Sequence, residues 1–310
     1  MLRAVTVGCG AMSRGWIEAV RDTPAIHAHL DVAVFLDLDA GTAGRAAGAV
    51  ERALAAGCHV LSGKPVAAFT AKARRLVELA ARAGRLHGVA QNRRWPSGIQ
   101  RARAFPASGA IGEVTAVRCD LVVAPRFGGL LDQMEDVLLL DMAIHSFDQA
   151  RCLTGLDAAG VHARETNPKE SWHRHGASAD ALLDLKGGAT MTYRGSRCAA
   201  GLRAAWESSW RVVGTLLRDG NEGVRAERAV GGPDGLFRPF GPVRVPPLAE
   251  PITEGHAGVI AEFVTAVREG REPLTPGHDS VRSLAMVFGA IERARAGQRT
   301  ALRGPLGEAA

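Results

Sequence analysis

Ala4-Val5-Thr6-Val7-Gly8-Cys9-Gly10-Ala11-Met12-Ser13 (residues 4–13) decides how the first half of this chain is read. Residues 4–8 form a short apolar strand pattern that ends on glycine, and residues 11–22 (AMSRGWIEAVRD) read as a helix. Gly8 permits a tight turn. Gly10 lets a pyrophosphate approach the backbone at the helix N-terminus, where free N–H groups and the helix dipole favour anions. Ser13 occupies the third fingerprint position in place of Gly or Ala. A strand-to-helix turn favours glycine with or without a ligand, so this turn needs a second signal.

That signal is Asp37. Residues 31–37 (DVAVFLD) are a second apolar strand pattern ending on an acid, where a carboxylate reaches a ribose 2′-hydroxyl. An acid there repels a 2′-phosphate, and Asp39 adds negative charge, so NAD is expected over NADP. A cap for the following helix is the other reading of Asp37. Further on, a helical stretch over 40–57 leads to a strand at 59–62. A helical period over 70–83 then ends at Gly84, and a strand follows at 86–90. Short apolar strands without alternation, joined by helices, predict a parallel sheet covered on both faces.

After residue 110 the texture changes. Residues 113–123 (EVTAVRCDLVV) alternate, as an antiparallel strand with one covered face should. A helix is expected near 136–153, strands at 178–186, 188–197 and 209–215, a Gly/Pro-rich loop over 231–251, and helices near 256–269 and 279–296. The fold class is therefore α/β. A Rossmann-type domain over residues 1–110 precedes an α+β domain over 111–310 with a large, mostly antiparallel open sheet. The break falls at Ser108-Gly109-Ala110-Ile111-Gly112.

Composition restricts the function classes. With 310 residues and 46% hydrophobic side chains, two domains can each bury a core. The net charge of +6 comes almost wholly from arginines scattered along the chain, and aromatics are 5%, so no basic stripe with interleaved aromatics suggests nucleic acid. A solvated basic surface is expected, with an anionic ligand or partner as the alternative. The cysteines (Cys9, Cys58, Cys119, Cys152 and Cys198) form no CxxC pair, which gives no support to a zinc or dithiol site. His173 and His175 are an H-x-H without nearby acids, expected as surface loop, and no metal is expected. No signal-peptide pattern or spanning apolar run is present, so a cytoplasmic protein without membrane partners is expected.

Three residues carry the chemistry. Lys64, one of the few lysines, follows a buried strand in Ser62-Gly63-Lys64-Pro65, and strand carboxyl ends are where open α/β sheets bind ligands. Asp141 and His145 stand at i and i+4 within apolar residues, on one helix face, and require each other or a ligand. Histidine exchanges protons near neutral pH, and a neighbouring carboxylate can fix its tautomer and raise its pKa. A surface lysine and a helix-capping or core His–Asp pair are the structural alternatives.

Together these residues resemble the glucose–fructose oxidoreductase / inositol dehydrogenase (Gfo/Idh/MocA) family. The resemblance is carried by VTVGCGAMSRGWIEAV (5–20), ALAAGCHVLSGKP (53–65), SGAIGEVTAVRCDLV (108–122), LLLDMAIHSFDQARCLTG (138–155), MTYRGSRCAAG (191–201) and WESSWRVVG (206–214). It implies an NAD(P)-dependent oxidoreductase that interconverts a secondary alcohol and a ketone on a sugar, sugar derivative or cyclitol. By the same likeness Gly8 and Gly10 contact pyrophosphate, Asp37 contacts the ribose, and Ala11, Met12 and Lys64 also bind the cofactor. Lys64 hydrogen-bonds the reacting hydroxyl beside the cofactor, His145 is the acid/base, and Asp141 orients substrate or histidine. Gln91, Arg93, Arg94 and Trp95 are candidate cleft residues; Trp95 either stacks on a sugar or is structural. A homodimer or homotetramer is implied. Two departures stand out. Gly63 replaces the family's glutamate, and the interval from Asp37 to Lys64 lacks about one strand–helix–strand unit. The shortened half is expected to keep strand order 2-1-3. The alternative function is a non-catalytic, ligand-binding or oligomerising relative with impaired cofactor binding.

Overall fold

In the computed structural model, parallel strands and helices alternate along the first half of the chain, as the apolar runs predict. The structure describes residues 2–7, 13–36, 43–107, 112–199, 201, 204–214, 224–230 and 239–297. Strand β1 (Leu2–Val7) leads to helices α1 (Ser13–Asp22) and α2 (Pro24–His27), then to β2 (Leu30–Leu36), which pairs with β1 in parallel. Helix α3 (Ala43–Ala55), strand β3 (Val60–Ser62), helix α4 (Thr70–Ala83) and strand β4 (His87–Val89) repeat the pattern, and β3 and β4 are also parallel.

Helix α4 shows why the sequence was readable here. Ala73, Leu76 and Ala80 recur on one face and are buried. The helix stops because Gly84 turns left-handed (φ 59°), returning its N–H to the carbonyls of Ala80 and Ala81. Gly88 in β4 answers a different need: a Cβ there would lie 2.8 Å from the Phe263 ring, so the close helix–strand contact requires its absence. The expected 2-1-3 order would place β3 beside β1. Among the described residues the two parallel pairs stand as separate two-stranded sheets.

Helix α5 (Ser97–Ala107) precedes the second half, in which five strands form one sheet in the order β6-β7-β8-β5-β9. These are β5 (Val114–Val122), β6 (Ala158–Thr166), β7 (Ser178–Leu185), β8 (Thr190–Ser196) and β9 (Ser209–Gly214). Only β5 and β8 run parallel; the other pairings are antiparallel. In β7, Ala179, Ala181, Leu183 and Leu185 turn inward while Asp180 and Asp184 face outward, the alternation of a sheet with one covered face. The covering layer includes a π-helical segment over Leu138–Ala143 and α7 (Ile144–Thr154), which follow the short α6 (Leu130–Gln133). Beyond a β10–β11 hairpin (Ala226–Ala229 with Phe240–Val243) come α8 (Gly255–Glu269) and α9 (Gly277–Ala296).

Several elements escaped the sequence reading, among them β6, β11 and α5. Strand β6 is an edge strand whose AAGVHARET contains one β-branched residue before its last position, so its pattern is weak. Strand β11 carries Gly241 and Pro242 and survives because the two-stranded hairpin leaves an edge free. Helix α5 opens on Ser-Gly and contains Pro106 in its last turn, signals that read as loop.

The C-terminal helices return to the first half. Val259, Ile260 and Val264 of α8 pack with Ile26, Ala90 and Trp95, against Trp16, Leu30 and Leu61. Leu284 and Val287 of α9 join a core that also holds Leu54 of α3 and Leu76 of α4. Among the described residues no helix is long and apolar enough to cross a membrane.

Candidate active site

Three chain segments meet where β3 ends. Ser62 is the last residue of β3, and two positions later Lys64 leaves the sheet edge ahead of a cis peptide to Pro65. Its Nζ donates to the backbone carbonyl of Asp141 at 2.6 Å and to Asp141 Oδ1 at 2.7 Å. Arg197, just past β8, donates through Nη1 to Asp141 Oδ2. Asp141 thus bridges two cations from two different sheets.

The helix that carries Asp141 is not a plain α-helix. Leu138–Ala143 is π-helical and runs directly into α7, which begins one residue before His145. A π turn shifts the backbone ladder by one residue, a device frequent at functional sites. Here the Asp141 carbonyl accepts from Lys64. Asp141 and His145 do not hydrogen-bond to each other: the carboxylate is held by Lys64 and Arg197, while His145 Nδ1 is buried with no hydrogen-bond partner. His145 is only 6% exposed.

Burial and charge fix the protonation states. Burial lowers the His145 pKa well below its usual value, and the positive charges of Lys64 and Arg93 push it further down, so the imidazole is neutral at pH 7. Burial also lowers Lys64; Asp141 opposes that shift, while Arg93 and Arg197 add to it. Burial alone would raise Asp141, but Lys64 and Arg197 more than offset it, so its carboxyl titrates below the ordinary range. The ion pair stands charged, beside an uncharged base.

The remaining predicted residues separate. Arg93 lies near the centre, its guanidinium 5.4 Å from the Trp206 ring and its carbonyl accepting from Gln149. Gln91 is buried, with Oε1 unpartnered. Arg94 points elsewhere: it makes two 2.6 Å hydrogen bonds to Asp148 and one of 2.8 Å to Asp279, tying its 3-10 turn to α7 and α9. Trp95 is buried in the apolar cluster beneath α8, which answers its two readings in favour of the structural one. His173 is buried against the carbonyl of Leu131 instead of lying in an exposed loop.

Several residues near the site were not singled out by the sequence, although Arg197 and Trp206 lie in stretches that carry the resemblance. Arg197 is one arginine among many, and only the fold sets it against Asp141. Phe127 and Trp206 lie in loops, their rings 6.3 Å apart and 29° from parallel. His256, at the start of α8, lies near enough to His145 to interact with it electrostatically.

Gly8, Gly10, Ala11, Met12 and Asp37 lie outside the described residues, but the strands that deliver them do not. Val7 and Leu36 are register partners at the carboxyl ends of adjacent parallel strands. The two strands therefore end side by side, at the edge where a dinucleotide's pyrophosphate and ribose would be bound. The placement of these two strand ends fits such a cofactor.

Comparison with known proteins bears on the family and the fold. A family model described as the GFO/IDH/MocA C-terminal domain matches residues 99–216. A D-apiose dehydrogenase from Rhizobium rhizogenes is 30% identical over 261 residues, 80% of this chain and 74% of that protein. A dTDP-3,4-didehydro-2,6-dideoxy-alpha-D-glucose 3-reductase from Streptomyces violaceoruber is 28% identical over 295 residues, 90% of this chain and 77% of that protein. The crystal structure of an oxidoreductase from Agrobacterium radiobacter in complex with NAD+, L-tartaric acid and magnesium shares the fold. Its TM-score is 0.78 at 23% identity, over 96% of this chain and 97% of that one.

Proposed function

Because the chain belongs to the Gfo/Idh/MocA oxidoreductase family, we propose that it is an NAD-dependent dehydrogenase that interconverts a secondary alcohol and a ketone on a sugar, sugar derivative or cyclitol. The observation that carries the proposal is the Lys64–Asp141 contact beside an unpartnered, neutral His145. A cofactor would be held by Gly8, Gly10, Ala11 and Met12 at the pyrophosphate and by Asp37 at the ribose, and when bound it supplies the hydride acceptor or donor.

The chain's own residues handle the proton. Lys64, oriented by Asp141, offers an N–H to the substrate oxygen and stabilises negative charge developing on it. The His145 imidazole takes the hydroxyl proton during oxidation and returns it during ketone reduction. A neutral histidine is ready for the first task, because no prior deprotonation is needed. Burial excludes bulk water from this exchange and strengthens each electrostatic contact.

The test is a titration of the purified protein with NADH, followed by fluorescence, and then an assay for NADH production from NAD with sugars and cyclitols. Binding in the micromolar range with turnover supports the proposal. No binding at millimolar NADH would overturn it and leave the non-catalytic reading.

A further inference from the structure

The site holds more positive charge than its own carboxylates balance. Lys64, Arg93 and Arg197 converge on it, whereas the acids acting on them are Asp141 and Glu207. His145 and His256 are both held toward the neutral form, so they do not change the excess.

The arginines are also incompletely bonded. Arg197 is 0% exposed; its Nη1 meets Asp141, but Nε and Nη2 have no hydrogen-bond partner. Arg93 Nη1 is likewise buried and unpartnered. Donors of this kind are costly to bury without an acceptor, which points to one supplied from outside the chain.

An aromatic platform lies between the two guanidinium groups. Arg93 sits over Trp206 at 5.4 Å and Arg197 over Phe127 at 5.6 Å, and the two rings stack on each other. Phe127 is 63% exposed and Trp206 42% exposed, unusual for large aromatics unless something covers them. Such rings can pack against the C–H face of a sugar while the flanking cations hold its charged end.

We propose that the substrate is a sugar acid bearing one carboxylate, which Arg93 and Arg197 hold while the sugar lies against Trp206 and Phe127. This rests on the dehydrogenase reading and narrows it. A carboxylate suits the site better than a phosphate for two reasons. The local excess matches a single negative charge, whereas a phosphomonoester carries about −1.5 to −2 at pH 7. Planar guanidinium forks also match the planar carboxylate with paired hydrogen bonds.

The experiment compares matched pairs as substrates with NAD: D-glucuronate with D-glucose, D-galacturonate with D-galactose, and D-gluconate with D-glucitol, plus D-glucose 6-phosphate. In at least one pair, kcat/KM for the acid should exceed that for the neutral partner by about 10- to 100-fold. Arg197→Gln and, should that variant not fold, Arg93→Gln should each remove most of that preference. Equal or better use of the neutral partners, or preference for the phosphate, would overturn the sugar-acid inference and leave the dehydrogenase reading intact. Calorimetry of the same compounds on the NADH-loaded protein covers the other case. Acid binding that is lost in the arginine variants, without turnover, would support the carboxylate site and count against dehydrogenation. Absence of any acid preference in both binding and turnover would overturn the inference.

Discussion

Lys64 and Asp141 stand 77 positions apart in the chain, and one ammonium nitrogen reaches both the backbone carbonyl and the carboxylate of the aspartate. The double contact fixes the lysine's direction, because a flexible four-carbon stem tied at two acceptors has few alternatives left. It also binds the loop after β3 to the π-helical segment, so the donor and the base on the next turn keep their spacing.

Replacing the lysine therefore separates positioning from folding. Lys64→Met leaves Asp141 paired with Arg197, so the chain should still fold. Turnover should fall by about 100-fold or more, the scale on which a donor to developing charge is lost. NADH affinity should change by less than about threefold, on the order of 0.6 kcal/mol. Steady-state rates and an NADH titration on the same preparation check both; a parallel loss of rate and affinity would show that Lys64 serves the cofactor instead.

The pH profile follows from His145 and Lys64. Alcohol oxidation needs the imidazole neutral, and a histidine whose pKa is depressed stays neutral as pH falls past the usual 6.5. The acid limb of kcat/KM should therefore lie below pH 6.5. The alkaline limb should lie below the ordinary lysine value of 10.5, because burial makes Lys64 release its proton early. His145→Asn should lower kcat by roughly 100- to 10,000-fold and abolish the acid limb, with NADH affinity nearly unchanged. An acid limb at or above pH 7 that persists in the variant would assign it to another group.

Parts of this site were legible because chemistry and pattern coincide. Lys64 follows a strand end, and Asp141 and His145 interrupt an apolar helix, so each violates its surroundings. Pattern could not show that the aspartate turns away from the histidine toward Lys64 and Arg197, since helical spacing is silent on partners from other elements. Arg197, Phe127 and Trp206 lie in or beside loops, where neither period nor capping constrains a residue. The fold shows the same division. Strand β7 announced itself by strict alternation and α4 by its glycine stop, whereas β6 is an edge strand with few residues that favour a sheet.

Arg94 illustrates the cost of reading a cluster as one unit. It neighbours Arg93, yet it holds Asp148 and Asp279 in a buried network. Arg94→Met should strand the buried Asp148 carboxylate beside Ser283 alone and destabilise the protein by about 3–5 kcal/mol. The double variant Arg94→Met/Asp148→Leu should recover much of that loss. Urea unfolding of the two variants checks this. A near-neutral single variant whose main defect is in KM would place Arg94 in the substrate cleft after all.

His87 supplies a stability signal separate from the proton-transfer chemistry. Burial depresses its pKa from 6.5 to about 4, and its Nε2 lies 3.0 Å from Ser62 Oγ at the end of β3. Between those two pH values the unfolded chain binds a proton that the native protein refuses. Acidification therefore favours unfolding in that window. The sign is that of a lowered histidine: its contribution is complete above pH 6.5, is lost as pH falls toward 4, and changes no further below that. The full difference is about 3 kcal/mol. Unfolding free energies of the native protein and of His87→Gln, measured from pH 8 to pH 4, should converge by about that amount as pH falls, since the variant has nothing to protonate. A constant gap between the two curves would mean that His87 is protonated in the native state and that the space beside Gly277 admits a charge.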